Sequence, residues 1–76
     1  MERIIIHFEN LVKQEKKTLW IDFNQPLYEF EKEFEIDENQ YLYDRFFYCL
    51  ELHSRLKKEC SWKENHVLHG DHIIYV

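Results

Sequence analysis

The chain has 76 residues, 45% hydrophobic and 17% aromatic, with a formal net charge of −5. That length bounds it to one domain near the lower limit for folding on a single core, and the aromatic content excludes a disordered chain. The only basic clusters, Lys13/Lys16/Lys17 and Arg55/Lys57/Lys58, are small and sit in an acidic field, which argues against direct nucleic-acid binding.

Arg3 to Phe8, RIIIHF, reads as a buried strand, because three consecutive isoleucines favour β structure and the run is too short for a lone helix. The polar stretch Asn10 to Lys17 suits a connection. Thr18 to Phe23 places Trp20 and Asp22 on one face and Leu19, Ile21 and Phe23 on the other, the period of a half-buried strand. The two strands are expected to form a hairpin, followed by turn chemistry at Asn24-Gln25-Pro26.

Leu27 to Ile36 fits two periods. As a helix it aligns Leu27, Phe30 and Phe34 behind Pro26; as a strand it puts Tyr28, Phe30, Lys32, Phe34 and Ile36 on one face and the glutamates on the other. The strand is preferred, because Tyr28 and Ile36 leave the helical stripe and glutamates four apart repel. From Asp37 to Cys60 a cap, a capping box to Gln40, and Leu42, Phe46, Cys49, Leu50, His53, Leu56 and Cys60 at helical spacing predict one long helix, about 38–59. A strand over Phe46 to Leu52 is the competing reading. His69-Gly70-Asp71 then turns the chain into a final strand ending at Val76.

The fold class expected from these elements is α+β: a small antiparallel β-sheet, built from an N-terminal meander and the C-terminal strand, packed on one long helix. Its core would hold Ile4, Ile6, Leu19, Ile21, Phe23, Leu42, Phe46, Leu50, Leu56, Ile73 and Tyr75. No charged-then-apolar leader opens the chain and no apolar run reaches membrane-spanning length. A soluble cytoplasmic protein without a membrane partner is expected, its two cysteines reduced, with a Cys49–Cys60 disulfide as the alternative.

The charge is not evenly spread. Residues 27–38 carry six acids (Glu29, Glu31, Glu33, Glu35, Asp37 and Glu38) against Lys32, and the remaining nine acids and nine bases cancel. On a strand, alternate glutamates stand about 6.6–6.8 Å apart, close to the phosphate spacing along one nucleic-acid strand. These six residues are therefore the expected partner-binding site, presenting carboxylates to a basic, normally nucleic-acid-binding surface of another protein. The competing reading is a solvated face that guards an edge from aggregation.

No cofactor or metal is expected. His66, His69 and His72 recur every third residue and would diverge around a strand, and Cys49 with His53 lacks the paired spacing zinc sites use. Catalysis is not expected either: Cys49 and His53 have no evident orienting partner, and Gly70 is the only glycine, so no phosphate loop exists.

The tail KENHVLHGDHIIYV, through Val67, Gly70, Asp71, Ile73 and Val76, with Trp62 upstream, resembles the end of ubiquitin-like β-grasp proteins, including the small YukD/EsaB-type accessory proteins of type VII secretion. The resemblance implies a helix at 25–36 and a strand near 46–52, the reverse of the preferred reading of both segments. It also implies an adaptor that binds a partner through an apolar sheet face. Without a Gly-Gly ending it implies no conjugation. In size and charge the chain is similar to small phage anti-defence proteins, anti-CRISPR and anti-restriction inhibitors that mimic DNA.

Overall fold

The isoleucine run and the TLWID alternation form the expected hairpin, longer than the sequence suggests: β1 spans Arg3–Asn10 and β2 spans Glu15–Asp22. Asn10 closes it, its Oδ1 accepting the amides of Val12 at 3.0 Å and Lys13 at 3.2 Å. The computed structural model describes residues 2–33 and 45–76. Beyond the hairpin these form a helix α1 (Leu27–Glu33), then β3 (Phe47–Cys49), β4 (Ser54–Arg55) and β5 (His72–Tyr75).

The five strands make one sheet in the order β2-β1-β5-β3-β4. β5 runs parallel to β1 and antiparallel to β3, so the C-terminal strand lies at the centre of the sheet. Its partner residues are His7 beside His72 and Phe8 beside Ile73 on one side, and Cys49 beside Ile73 on the other.

One face of the sheet carries Ile4, Ile6, Phe8, Ile21, Phe47, Cys49, Ile73 and Tyr75, all buried under α1 and the segment from Leu56 to Val67. Leu27 and Phe30 of α1 point inward, and the Phe30 ring meets Trp62 edge-on at 5.2 Å and Phe8 at 5.5 Å. Aromatic edge-to-face pairs add about 0.5–1.5 kcal/mol each beyond burial. A seven-residue helix is marginal alone. Here its first amides are satisfied from outside: Leu27 N–H donates to Cys60 O and Tyr28 N–H to Lys58 O, both at 3.1 Å.

The expected α+β arrangement of an antiparallel sheet on one long helix is overturned. Residues 27–33 are helical, not a strand, and β3 and β4 lie inside the 38–59 span that the heptad-like spacing assigns to a helix. The first part of that span, with Leu42, lies outside the described residues. Phe47 and Cys49 alternate inward as a strand requires, while Leu50 is 43% exposed and His53 takes a positive φ of 52°. The spacing of Cys49, Leu50, His53 and Leu56 fits a helical period, and sheet pairing of β3 with β5 overrode it. Arg55 belongs to β4, and Lys57 and Lys58 to the loop after it.

That loop is fastened by side chains. Asn65 accepts the Lys57 amide at 2.8 Å and donates to the carbonyls of Lys57 and Ser61 at 2.9 Å. Ser61 and Glu64 exchange reciprocal bonds, Ser61 N–H to Glu64 Oε1 at 2.9 Å and Glu64 N–H to Ser61 Oγ at 3.0 Å, which holds the Glu64 carboxyl below its ordinary range. Gly70, at φ 88°, makes the turn into β5.

Candidate functional site

The opposite face of the sheet is built by the residues between the buried ones. β1 contributes Ile5, His7 and Glu9, β2 contributes Lys16, Thr18, Trp20 and Asp22, β5 contributes His72 and Ile74, and Tyr48 comes from β3. No described element packs over it. Trp20 beside Ile5 is 59% exposed, and Tyr48 and Ile74 are direct neighbours, half-buried. At the centre the rings of His7 and His72 stack with centroids 4.7 Å apart, and His7 Nδ1 lies 3.2 Å from Thr18 Oγ1. His7, Thr18, Lys16, His72, Ile74 and Leu50 line a shallow groove of about 290 Å³. At the Trp20 end, His69 Nδ1 accepts the Ile5 amide at 3.0 Å, so the neutral ring carries its proton on Nε2.

At the end of β3 this face meets a polar cluster. Cys49 Sγ lies 3.6 Å from Asp71 Oδ2 and 3.9 Å from Glu51 Oε1. Asp71 Oδ2 also accepts the Leu68 amide at 2.9 Å, and Glu51 accepts both the His72 amide, at 2.7 Å, and its ring Nδ1. The His72 amide, then its ring, draw the Glu51 pKa down from 4.5 to about 2. Burial, with the Asp71 charge, pushes the Cys49 thiol up, so it stays protonated as a donor and is a poor nucleophile. Cys49, Glu51 and Asp71 are metal-ligand types in proximity, but their oxygens are engaged by amides, the His72 ring and the thiol; the cluster ties the β3–β4 turn to β5. Cys49 and Cys60 are both free.

Of the acids singled out from the sequence, the three described ones do not share one face. Glu29 is exposed on α1, whereas Glu31, two positions on, faces the interior, where Lys58 Nζ donates to it at 2.9 Å and the Tyr75 hydroxyl also bonds it. Glu33 accepts Gln25 Nε2 at 2.8 Å. Glu35, Asp37 and Glu38 lie outside the described residues. Helical geometry turns alternate residues to nearly opposite sides, so the even spacing that a strand would impose on Glu29, Glu31 and Glu33 is absent. Sequence reasoning placed Trp20 outward but missed His7, Tyr48, His72 and Ile74. The alternation of β1 and β5 put His7, His72 and Ile74 on one side, but that they meet there depends on β5 pairing with β1, and Tyr48 joins them through β3.

The solved structures compared include the ubiquitin-like domain of an Arabidopsis thaliana protein, determined by solution NMR, which superposes with a TM-score of 0.74 over 100% of this chain and 78% of that one, at 13% identity. The fold is ubiquitin-like. α1 at Leu27–Glu33 and β3 at Phe47–Cys49 are the elements the C-terminal resemblance implied, a helix at 25–36 and a strand near 46–52; the parallel β1–β5 pair is a finding of the structure. At that identity the likeness establishes the ubiquitin-like fold alone. No protein-family model matches the sequence, and no curated protein matches it. Nothing in these comparisons supports the anti-defence resemblance. Among the described residues, no helix is long and apolar enough to cross a membrane.

Proposed function

We propose that the protein is a non-catalytic ubiquitin-like adaptor that docks a partner protein through the open face of its sheet. The observation that supports this reading most is a contiguous surface of Trp20, Ile5, the His7–His72 stack, Ile74 and Tyr48, left uncovered by the described residues, on a sheet whose other face already holds the core. Aromatic and aliphatic groups on a rigid strand platform lose little entropy when covered, and they suit a partner surface of complementary apolar shape. The buried, protonated Cys49 thiol is consistent with a molecule that binds and does not react.

The test is a partner captured from the source cell and re-measured with purified components. A double substitution of Tyr48→Asp and Ile74→Asp should weaken binding at least about a hundredfold, the loss of two central contacts. Glu29→Gln with Glu33→Gln should leave binding within about twofold, and affinity should change little with salt, since exposed charges make a small and screened contribution. Retained binding by the Tyr48/Ile74 variant, or collapse of binding on raising salt, rejects the sheet-face reading.

A further inference from the structure

β2 ends the strand order, so among the described residues one side of it has no neighbouring strand. Which of its residues present backbone groups there follows from the hydrogen bonds. Phe23 N–H donates to Glu2 O at 2.9 Å, toward β1, and peptide groups alternate in direction along an antiparallel strand. Ile21, Leu19, Lys17 and Glu15 therefore bond to β1, and Thr18 and Trp20 turn both backbone groups outward. Lys16 does the same at one end. At the other end Asp22 offers its N–H, because its carbonyl accepts Gln25 N–H at 3.1 Å. β1 has matching parity: Gly70 N–H donates to Ile5 O and His7 N–H to Asp71 O, so its odd residues turn to β5 and its even ones to β2.

We propose that this edge pairs antiparallel with the same edge of a second copy, about a two-fold axis through Leu19, joining the two sheets into one. The axis sets Thr18 opposite Trp20 of the other copy, both with outward groups, and sets Lys16 opposite Asp22 at each end. Opposite charges directly across a strand pair stabilise it, and like charges oppose it. Moving the axis to Lys17 brings two lysines face to face. Centring it on Thr18 puts Lys16 against Trp20, and centring it on Trp20 puts Lys17 against Phe23. An axis between two residues would pair core-facing with outward-facing side chains, which a continuous sheet forbids. The Leu19 register alone satisfies both charged ends.

Lys16 has no ion-pair or hydrogen-bond partner among the described residues, whereas Lys17 already lies 3.7 Å from Glu15. Lysines commonly guard an edge against pairing. In this register Lys16 meets a carboxylate instead, and it guards only against the wrong registers. The two open faces lie on the same side of the joined sheet; Trp20 belongs to both surfaces, but Tyr48 and Ile74 lie away from the junction, so substitutions at those two test the adaptor surface without touching this pairing.

An edge-to-edge contact buries less than the roughly 1,200–2,000 Å² of stable complexes, so the dimer is a concentration-dependent one, with a Kd on the order of 100 μM. Sedimentation equilibrium of the full chain from about 10 μM to about 1 mM spans that range and should show reversible monomer–dimer exchange. Lys16→Asp should weaken it at least about tenfold, and Lys16→Asp combined with Asp22→Lys should restore it. Thr18→Pro removes an outward N–H without touching the β1 ladder, and should abolish the dimer while far-UV circular dichroism stays native. A monomer throughout the range, or a dimer that survives Thr18→Pro, overturns the proposal. Loss in Thr18→Pro without loss in Lys16→Asp overturns the Leu19-centred register.

Discussion

Glu31 shows how one side chain changes meaning between sequence and structure. In the sequence it is one of six acids in a charged segment; in the fold it is 7% exposed, bonded to Lys58 and to the buried Tyr75 hydroxyl. Replacing it by Ala removes the Glu31 bond from that hydroxyl and the carboxylate from the partly buried ammonium. Glu31→Ala should cost about 2–3 kcal/mol in urea unfolding, against about 0.5 kcal/mol or less for Glu29→Ala on the exposed side of the same helix. Glu51 provides the pH counterpart. Its folded pKa is depressed from 4.5 to about 2 by the His72 amide and ring, so its contribution to stability is complete above pH 4.5 and is lost as the pH falls toward 2. In thermal melts the gap between wild type and Glu51→Gln should therefore be widest near neutrality and should close in acid.

At the scale of elements, short pieces are held by side chains more than by their own ladders. β4 has two residues, and the long connection to β5 is organised by Asn65, which bonds the backbone of Lys57 on both its polar ends as a neighbouring strand would. Asn65→Ala should destabilise the protein by about 1–3 kcal/mol, with hydrogen-exchange protection lost first at the Lys57 and Asn65 amides. The same scale explains the helix. Leu27 and Phe30 at i and i+3 were legible, and Pro26 marked its start, but the glutamates matched a strand equally well. The deciding contacts, Phe30 against Trp62, Phe8 and Phe47, come from residues distant in sequence.

For the whole molecule, the placement of β5 governs cooperativity. Among the described residues it is the only strand joining the hairpin to β3 and β4, and it brings Ile73 and Tyr75 into the core. Removing residues 72–76 should abolish cooperative unfolding altogether, seen as a sloping melt without near-ultraviolet dichroism.

The sequence by itself determined the hairpin, the final strand, the inward isoleucines and the outward Trp20, because each rests on a local period of two or on turn residues a few positions apart. It also held, in the Gly70-Asp71 turn and the apolar residues around it, the resemblance that proved to describe the fold. Only the tertiary structure decided whether residues 27–33 and 47–49 are helix or strand, that β5 lies parallel to β1, and that His7, His72, Ile74 and Tyr48 share one face. Those outcomes depend on contacts across tens of residues, and local periodicity carries no information about which distant surface will cover a segment.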